Sequence, residues 1–301
     1  MQALRQIFAD AGCEGTLFAA RLGGGEPVTL EADRVVALAS VFKIAVALAF
    51  ERAAAAGELD PAERALLAAA DRTPGPTGLS VCLDDAALSY RDLAYLMMSV
   101  SDNAATDAVI GRVGLDRINA MLRELGLRQT EVPGAMRDEL DGVAADLGFA
   151  SWRQVQDAQA GRMGEEARVR STDLSRIAAS RVLDPARGWR GTAREVAGLV
   201  AAIWEDRAGP EPACARVRWL MGHQGRSRIA AAMPEGVRPF VKSGSLFGVA
   251  RNEAGVLEYP DGQRYVVAVF TRAHRPFAGT RAIEAAIGAA CRVAVDHLRE
   301  R

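Results

Sequence analysis

The chain reads as an α/β protein of the α+β kind: one antiparallel five-stranded sheet flanked by terminal helices, plus a separate all-helical lobe. Three observations predict this. Strand-like stretches lie near the two ends, at 15–31 and 240–272. From 89 to about 205 the signals are almost wholly helical. An amphipathic helix opens the chain and another closes it. Segments from both ends must then meet in one sheet. We therefore assign 1–57 and 207–301 to a discontinuous sheet domain and 58–206 to the helical domain, with the cleft between them as the place for a site.

The elements follow in order. Residues 2–11 form the opening helix. Residues 15–22 and 27–31 alternate as a β-hairpin, and Gly23-Gly-Gly25 is its turn rather than a phosphate cradle. A helix runs from Ser40 to about Ala56 and ends at Gly57. Asp60-Pro61-Ala62-Glu63 has the form of a helix start. Ser89 caps 90–99, and Asp102–Arg112 and Asp116–Leu125 are the next helices. Residues 131–190 are irregular and polar, the place for functional loops. Thr192 caps a helix to about Asp206, and Glu211–His223 adds another. Phe240–Ser243, Val249–Tyr259 and Tyr265–Arg272 are strands, with Pro260-Asp261-Gly262 turning between the last two. Thr280–Arg299 closes the chain.

Composition narrows the function. The 301 residues carry a net charge of −1, which argues against a nucleic-acid or membrane-surface footprint. No apolar run is long enough to span a bilayer, and the start reads as an amphipathic helix rather than a signal peptide. The expectation is a cytoplasmic monomer, or a periplasmic or secreted one if a leader has been removed. Cys13, Cys82, Cys214 and Cys291 make no metal-ligand spacing and read as buried free thiols. His223, His274 and His297 share no helical face. No metal and no cofactor are expected.

Ser40-Val41-Phe42-Lys43 carries the chemistry. One helical turn brings residues i and i+3 to the same face, so the Lys43 amine would sit beside the Ser40 hydroxyl. A buried lysine tends to the neutral amine, which can take a serine's proton. Serine is also an ordinary N-cap, and Ser-x-x-Lys occurs by chance. Yet lysine is scarce here: of the 37 Lys+Arg residues only Lys43 and Lys242 are lysine. Arginine serves for surface charge but does not give up its proton, whereas lysine can. Ser101-Asp102-Asn103 is either a helix cap or a proton-passing hydroxyl beside an amide that would hold a substrate carbonyl and Lys43. Lys242-Ser243-Gly244 is either an edge strand blunted by a lysine or an anion-binding strand. In the second case Gly244 lets substrate approach the backbone.

Taken together, and in this order, these motifs and the strand Gly248–Val256 resemble the penicillin-recognising serine hydrolases, most closely the class A β-lactamases. The resemblance covers most of the chain and implies the β-lactamase/transpeptidase-like fold. It implies Ser40 as the acylated nucleophile, Lys43 as its proton acceptor and Ser101 as the shuttle to the departing nitrogen. The N–H groups of Ser40 and Ser245 would form the oxyanion hole. Asn103, Lys242, Ser243, Gly244, Ser245 and Arg251 would bind substrate, with Ser243, Ser245 and Arg251 gripping its carboxylate.

The chain departs from the family at the water-holding pair, Arg-x-Glu-x-x-Leu-Asn. The nearest match is Arg137-Asp138-Glu139-Leu140, with Val143 in place of the asparagine. Glu139 is the candidate hydrolytic base, although a solvated surface glutamate fits as well. The expectation is a hydrolase acylated at Ser40 by β-lactams, with impaired deacylation. The alternatives are a cytoplasmic esterase or acyltransferase on the same scaffold, or a penicillin-binding protein without turnover.

Overall fold

Why the sheet forms where it does is seen first in its apolar rows. In a computed structural model, which describes residues 2–300, the opening helix α1 (Gln2–Asp10) buries Leu4 and Phe8. It leads into the hairpin β1 (Cys13–Arg21) and β2 (Val28–Leu30). A two-residue strand β3 (Val36–Ala37) then enters a 3₁₀ turn at Ala39–Phe42 and the helix α2 (Lys43–Ala55). Helix α2 is buried on nearly every side. That suits a run of alanines and large aliphatics with no polar face.

The helical part starts with a correction. Asp60–Glu63 does not begin a helix. The Asp60 carboxylate accepts the Ala62 N–H and the Asp60 carbonyl accepts the Glu63 N–H, which closes a turn. The chain then extends as β4 (Arg64–Leu67), paired with β5 (Ala86–Ser89). Helices α3 (Tyr90–Ser99), α4 (Asn103–Val113) and α5 (Leu115–Glu124) follow, the first two capped by Ser89 and Asp102.

Residues 131–190 are not irregular. They hold α6 (Met136–Asp146), α7 (Trp152–Gln159), α8 (Glu165–Ser171) and α9 (Leu174–Ala178). Ser151 and Asp173 cap two of them. Val143, Ala144, Leu147, Val155, Ala158, Ile177 and Val182 form a small core that also takes in Ala39, Leu246 and Val249. The helices are short, and packing stabilises them.

A second short strand, β6 (Arg190–Gly191), pairs with β3. Then come α10 (Ala193–Trp204), α11 (Glu211–Met221), β7 (Arg238–Leu246), β8 (Ala250–Glu258), β9 (Arg264–Ala273) and α12 (Thr280–Arg299). The main sheet is antiparallel in the order β2-β1-β9-β8-β7, so β7 is an edge strand. Helices α1 and α12 cover one face, with Ile283, Ile287 and Val295 packed on Leu17, Val267 and Val269. The other face joins the large core of α2 and α10 through Val256, Val266, Ala268 and Phe270.

Among the described residues no helix is long and apolar enough to cross a membrane. Three cysteines are buried as expected. Cys82 is exposed, because it lies in the surface loop between β4 and β5.

Candidate active site

The nucleophile candidate sits at a transition in helix type. Ser40 belongs to the 3₁₀ turn and Lys43 is the first residue of α2. In a 3₁₀ turn residues i and i+3 eclipse, which aligns Ser40 and Lys43. The sequence expectation of a regular helix from Ser40 is corrected in this detail. The turn is entered through Ala39 at φ +48°, a left-handed conformation unusual for alanine.

Two contacts hold that bend. The side-chain amide of Asn252 donates to the carbonyls of Ala37 (2.8 Å) and Leu38 (3.1 Å), while its oxygen accepts the Thr271 N–H. Strand β7 also passes close by at Gly244. A Cβ there would lie 2.9 Å from the Ser40 nitrogen and 3.0 Å from both Ala39 Cβ and the Leu38 carbonyl. Gly244 thus makes room for the protein's own backbone at Ser40.

Lys43 is fully buried. Its amine donates to the Ser101 carbonyl (2.9 Å), the Ser101 hydroxyl (3.2 Å) and the Asn103 side-chain oxygen (3.3 Å). These three account for an ammonium's donors, and none of them is Ser40. Ser101 has φ +60°. Asp102 fixes the loop from below: its carboxylate accepts the N–H groups of Leu79 and Ala105 and the Ser80 hydroxyl. The Asn103 amide nitrogen donates to the Pro74 carbonyl. Burial pushes the Lys43 amine down to about 7, against the pull of the Asp102 and Asp107 carboxylates. Near neutral pH a large share of Lys43 is therefore the free base.

Ser40, Ser101, Asn103, Ser243 and Ser245 line a single cavity of about 550 Å³. Its remaining walls are mostly apolar: Pro74, Pro76, Met136, Leu140, Trp152, Trp189, Leu246 and Phe247. Trp189 stacks on Phe42 at 4.4 Å, and Trp152 meets Phe247 at 5.4 Å. Lys242 is fully buried behind the edge strand and donates to the Ser243 carbonyl and to Gln224.

At Ser245 two guanidinium groups converge. Arg251 donates to its hydroxyl at 3.0 Å and Arg228 at 2.8 Å. Arg251 also donates to Thr280, and its Nε is buried with no partner. Burial, then Arg228, hold Arg251 below its usual range. The nearby acid is Glu284, 3.1 Å from Arg228. Such a cluster can hold an anion.

Glu139 stands apart. It is buried on α6, and burial, with Asp138 adding, pushes its carboxyl up to about 7. Burial removes the solvated-surface reading. Its neighbours Met136 and Leu140 line the cavity, but Glu139 is not among the lining residues. Val143, one turn on, is fully buried in the α6–α9 core. Among the described residues no cluster of histidine, cysteine and carboxylates could hold a metal.

The roles of three residues escaped the sequence reading: Asn252, which lies within the strand Gly248–Val256, and Gln224 and Arg228, which belong to no motif. The polar run Gln224-Gly-Arg-Ser-Arg228 just before the lysine-bearing strand was the one available signal.

Comparisons agree with this geometry. The chain is 31% identical over 316 residues to the beta-lactamase regulatory protein BlaB of Streptomyces cacaoi, covering 100% of this chain and 97% of that one. The solved beta-lactamase of Sphaerobacter thermophilus DSM 20745 superposes with a TM-score of 0.76 at 29% identity, covering 100% of this chain and 98% of that one. PBP-A, solved as a mutant in an acyl-enzyme complex with penicillin G, superposes with a TM-score of 0.76 at 20% identity, covering 100% and 96%, and shows the shared fold alone. A family model described as the beta-lactamase enzyme family matches residues 1–298. With that match spanning nearly the whole sequence, the chain belongs to the beta-lactamase enzyme family.

Proposed function

We propose that this protein is a serine hydrolase that β-lactam amides acylate at Ser40, and that the acyl group leaves slowly. The observation that carries the reading is the buried Lys43 amine, bonded to Ser101 and Asn103 on the wall of the cavity that holds Ser40. As the free base it accepts the Ser40 proton while Ser40 Oγ bonds to the lactam carbonyl carbon. The carbonyl oxygen gains negative charge and is met by the N–H groups of Ser40 and Ser245. Loss of one such donor typically costs ~10²–10³ in rate. The lactam C–N bond then breaks. The Ser101 hydroxyl gives its proton to the departing nitrogen and is reprotonated from Lys43, leaving an ester on Ser40. The substrate carboxylate lies at Ser243, Ser245 and Arg251, with Arg228 beside them.

Release needs a water and a base. Glu139, with its raised carboxyl, is the base in this reading. The apolar Val143 offers no amide to steady the water, which favours a long-lived acyl-enzyme. The regulatory description of the Streptomyces cacaoi relative supports a second reading, a penicillin-binding protein without turnover.

One experiment separates these. The protein is mixed with penicillin G and its intact mass is followed in time. A stoichiometric adduct on Ser40 that decays slowly is expected. An adduct that never decays selects the second reading. No adduct with penicillin G or a chromogenic cephalosporin refutes both.

A further inference from the structure

Strand β7 is the sheet's free edge, and an edge strand presents unpaired amide groups outward. Backbone N–H direction alternates along a strand, so Ser243 and Ser245 present their N–H groups to the same side. The Ser243 N–H is already taken. It donates to the side-chain oxygen of Gln224 at 2.7 Å, so both groups face away from β8.

The Gln224 amide is fully used. Its oxygen accepts the Ser243 N–H and the Lys242 amine (3.3 Å). Its nitrogen donates to Glu253 (3.2 Å) and to the Arg226 carbonyl (2.9 Å). The amide orientation follows from these partners, since two are donors and two are acceptors; a flip would break all four bonds. Glu253 is fully buried on β8, opposite Ser243. Besides Gln224 it accepts the Ser227 hydroxyl (2.9 Å) and the Ile229 N–H (2.6 Å), and so anchors the loop 224–229 that carries Arg228.

We infer that Gln224 is a positioning residue: it closes the edge amide of Ser243, leaving that of Ser245 for a substrate oxygen, and it holds the Lys242 amine in place, with Glu253 fixing its orientation from beneath. Nothing in the lactam chemistry above requires a glutamine here. The role follows from an amide spent on four partners, one of them the N–H of the cavity-lining Ser243. The charged groups facing Lys242 are Lys43 from α2, Glu253 from β8 and Arg228 from the loop.

The test uses the scarcity of lysine. With only Lys43 and Lys242 in the chain, side-chain lysine labelling gives two NMR signals that can be titrated separately. In Gln224→Met the amine of Lys242 loses an acceptor that favours its charged form. Its midpoint moves down by about one pH unit while that of Lys43 holds. In Gln224→Glu the acceptor toward Lys242 is kept while the donor toward Glu253 is lost; the two carboxyls then share one proton, and the negative charge of the pair beside the amine moves the Lys242 midpoint up. Acylation by penicillin G falls about tenfold in Gln224→Met, the worth of one charge-assisted hydrogen bond. If both lysines in Gln224→Met titrate like free lysine, that variant has unfolded and Gln224→Glu decides alone. A Lys242 midpoint that neither variant moves overturns the inference. The rate arm rests on the proposed acylation and the titration does not. A wild-type protein that forms no adduct therefore defeats the acylation reading and leaves the role of Gln224 to the lysine signals.

Discussion

The two sides of the cavity are built differently. On the side of α2, α4 and β7 three polar groups are matched to several partners each. Lys43 has three acceptors, Asp102 three donors and the Gln224 amide four partners. On the side of α6–α9 the wall is Met136, Leu140 and Trp152, with Gln156 as its one polar side chain. The one carboxyl of interest is buried behind it, and Val143 is part of an apolar core. Buried polar networks hold a geometry only when every member is satisfied. The contrast is therefore between a side whose charged and amide groups are held by several partners each and a side whose wall is mostly apolar.

The predictions test that contrast from the strongest outward. Ser40→Ala abolishes the penicillin G adduct in intact-mass measurement; an adduct that survives puts the nucleophile elsewhere and breaks the comparison. Lys43→Met lowers the acylation rate by ~10²–10⁴, the range for losing a general base. In the wild type that rate climbs about tenfold per pH unit below about 7 and levels off above it, because the free amine is required and burial sets its midpoint. A flat profile from pH 5 to 9 removes Lys43 as the base. Glu139→Gln lengthens the life of the acyl-enzyme by ~10²; an unchanged lifetime makes Glu139 a bystander and the α6–α9 side purely a wall.

The smallest effect is on stability. The Glu139 carboxyl is raised from 4.5 to about 7 on folding. Between those pH values the folded chain keeps a proton that the unfolded chain has already released. Stability contributed by this group is thus full below about 4.5 and is lost as pH rises through about 7. The loss is of order 1–3 kcal/mol. Urea midpoints across this window fall in the wild type and fall less in Glu139→Gln.

Much of this was legible in the residues. The hairpin, the three C-terminal strands and the closing helix Thr280–Arg299 stand where alternation and capping put them. The three-residue spacing of Ser40 and Lys43 and the rarity of lysine pointed to the cavity. Two kinds of information were missing. Asp60–Glu63 bears a capping signal, but local preference yields to the pairing of Arg64–Leu67 with Ala86–Ser89. Gln224, Arg228 and Asn252 act through partners far along the chain, such as Ala37 and Leu38 for Asn252, and no local pattern encodes such reach.

One consequence lies in the bend before Ser40. Ala39 keeps a methyl group at a backbone angle that glycine would adopt freely, while Gly244 opposite it has no room for one. Glycine at 39 would relax the bend and also give the serine new freedom. Selection for heat tolerance and selection for turnover would then pull this single position in opposite directions.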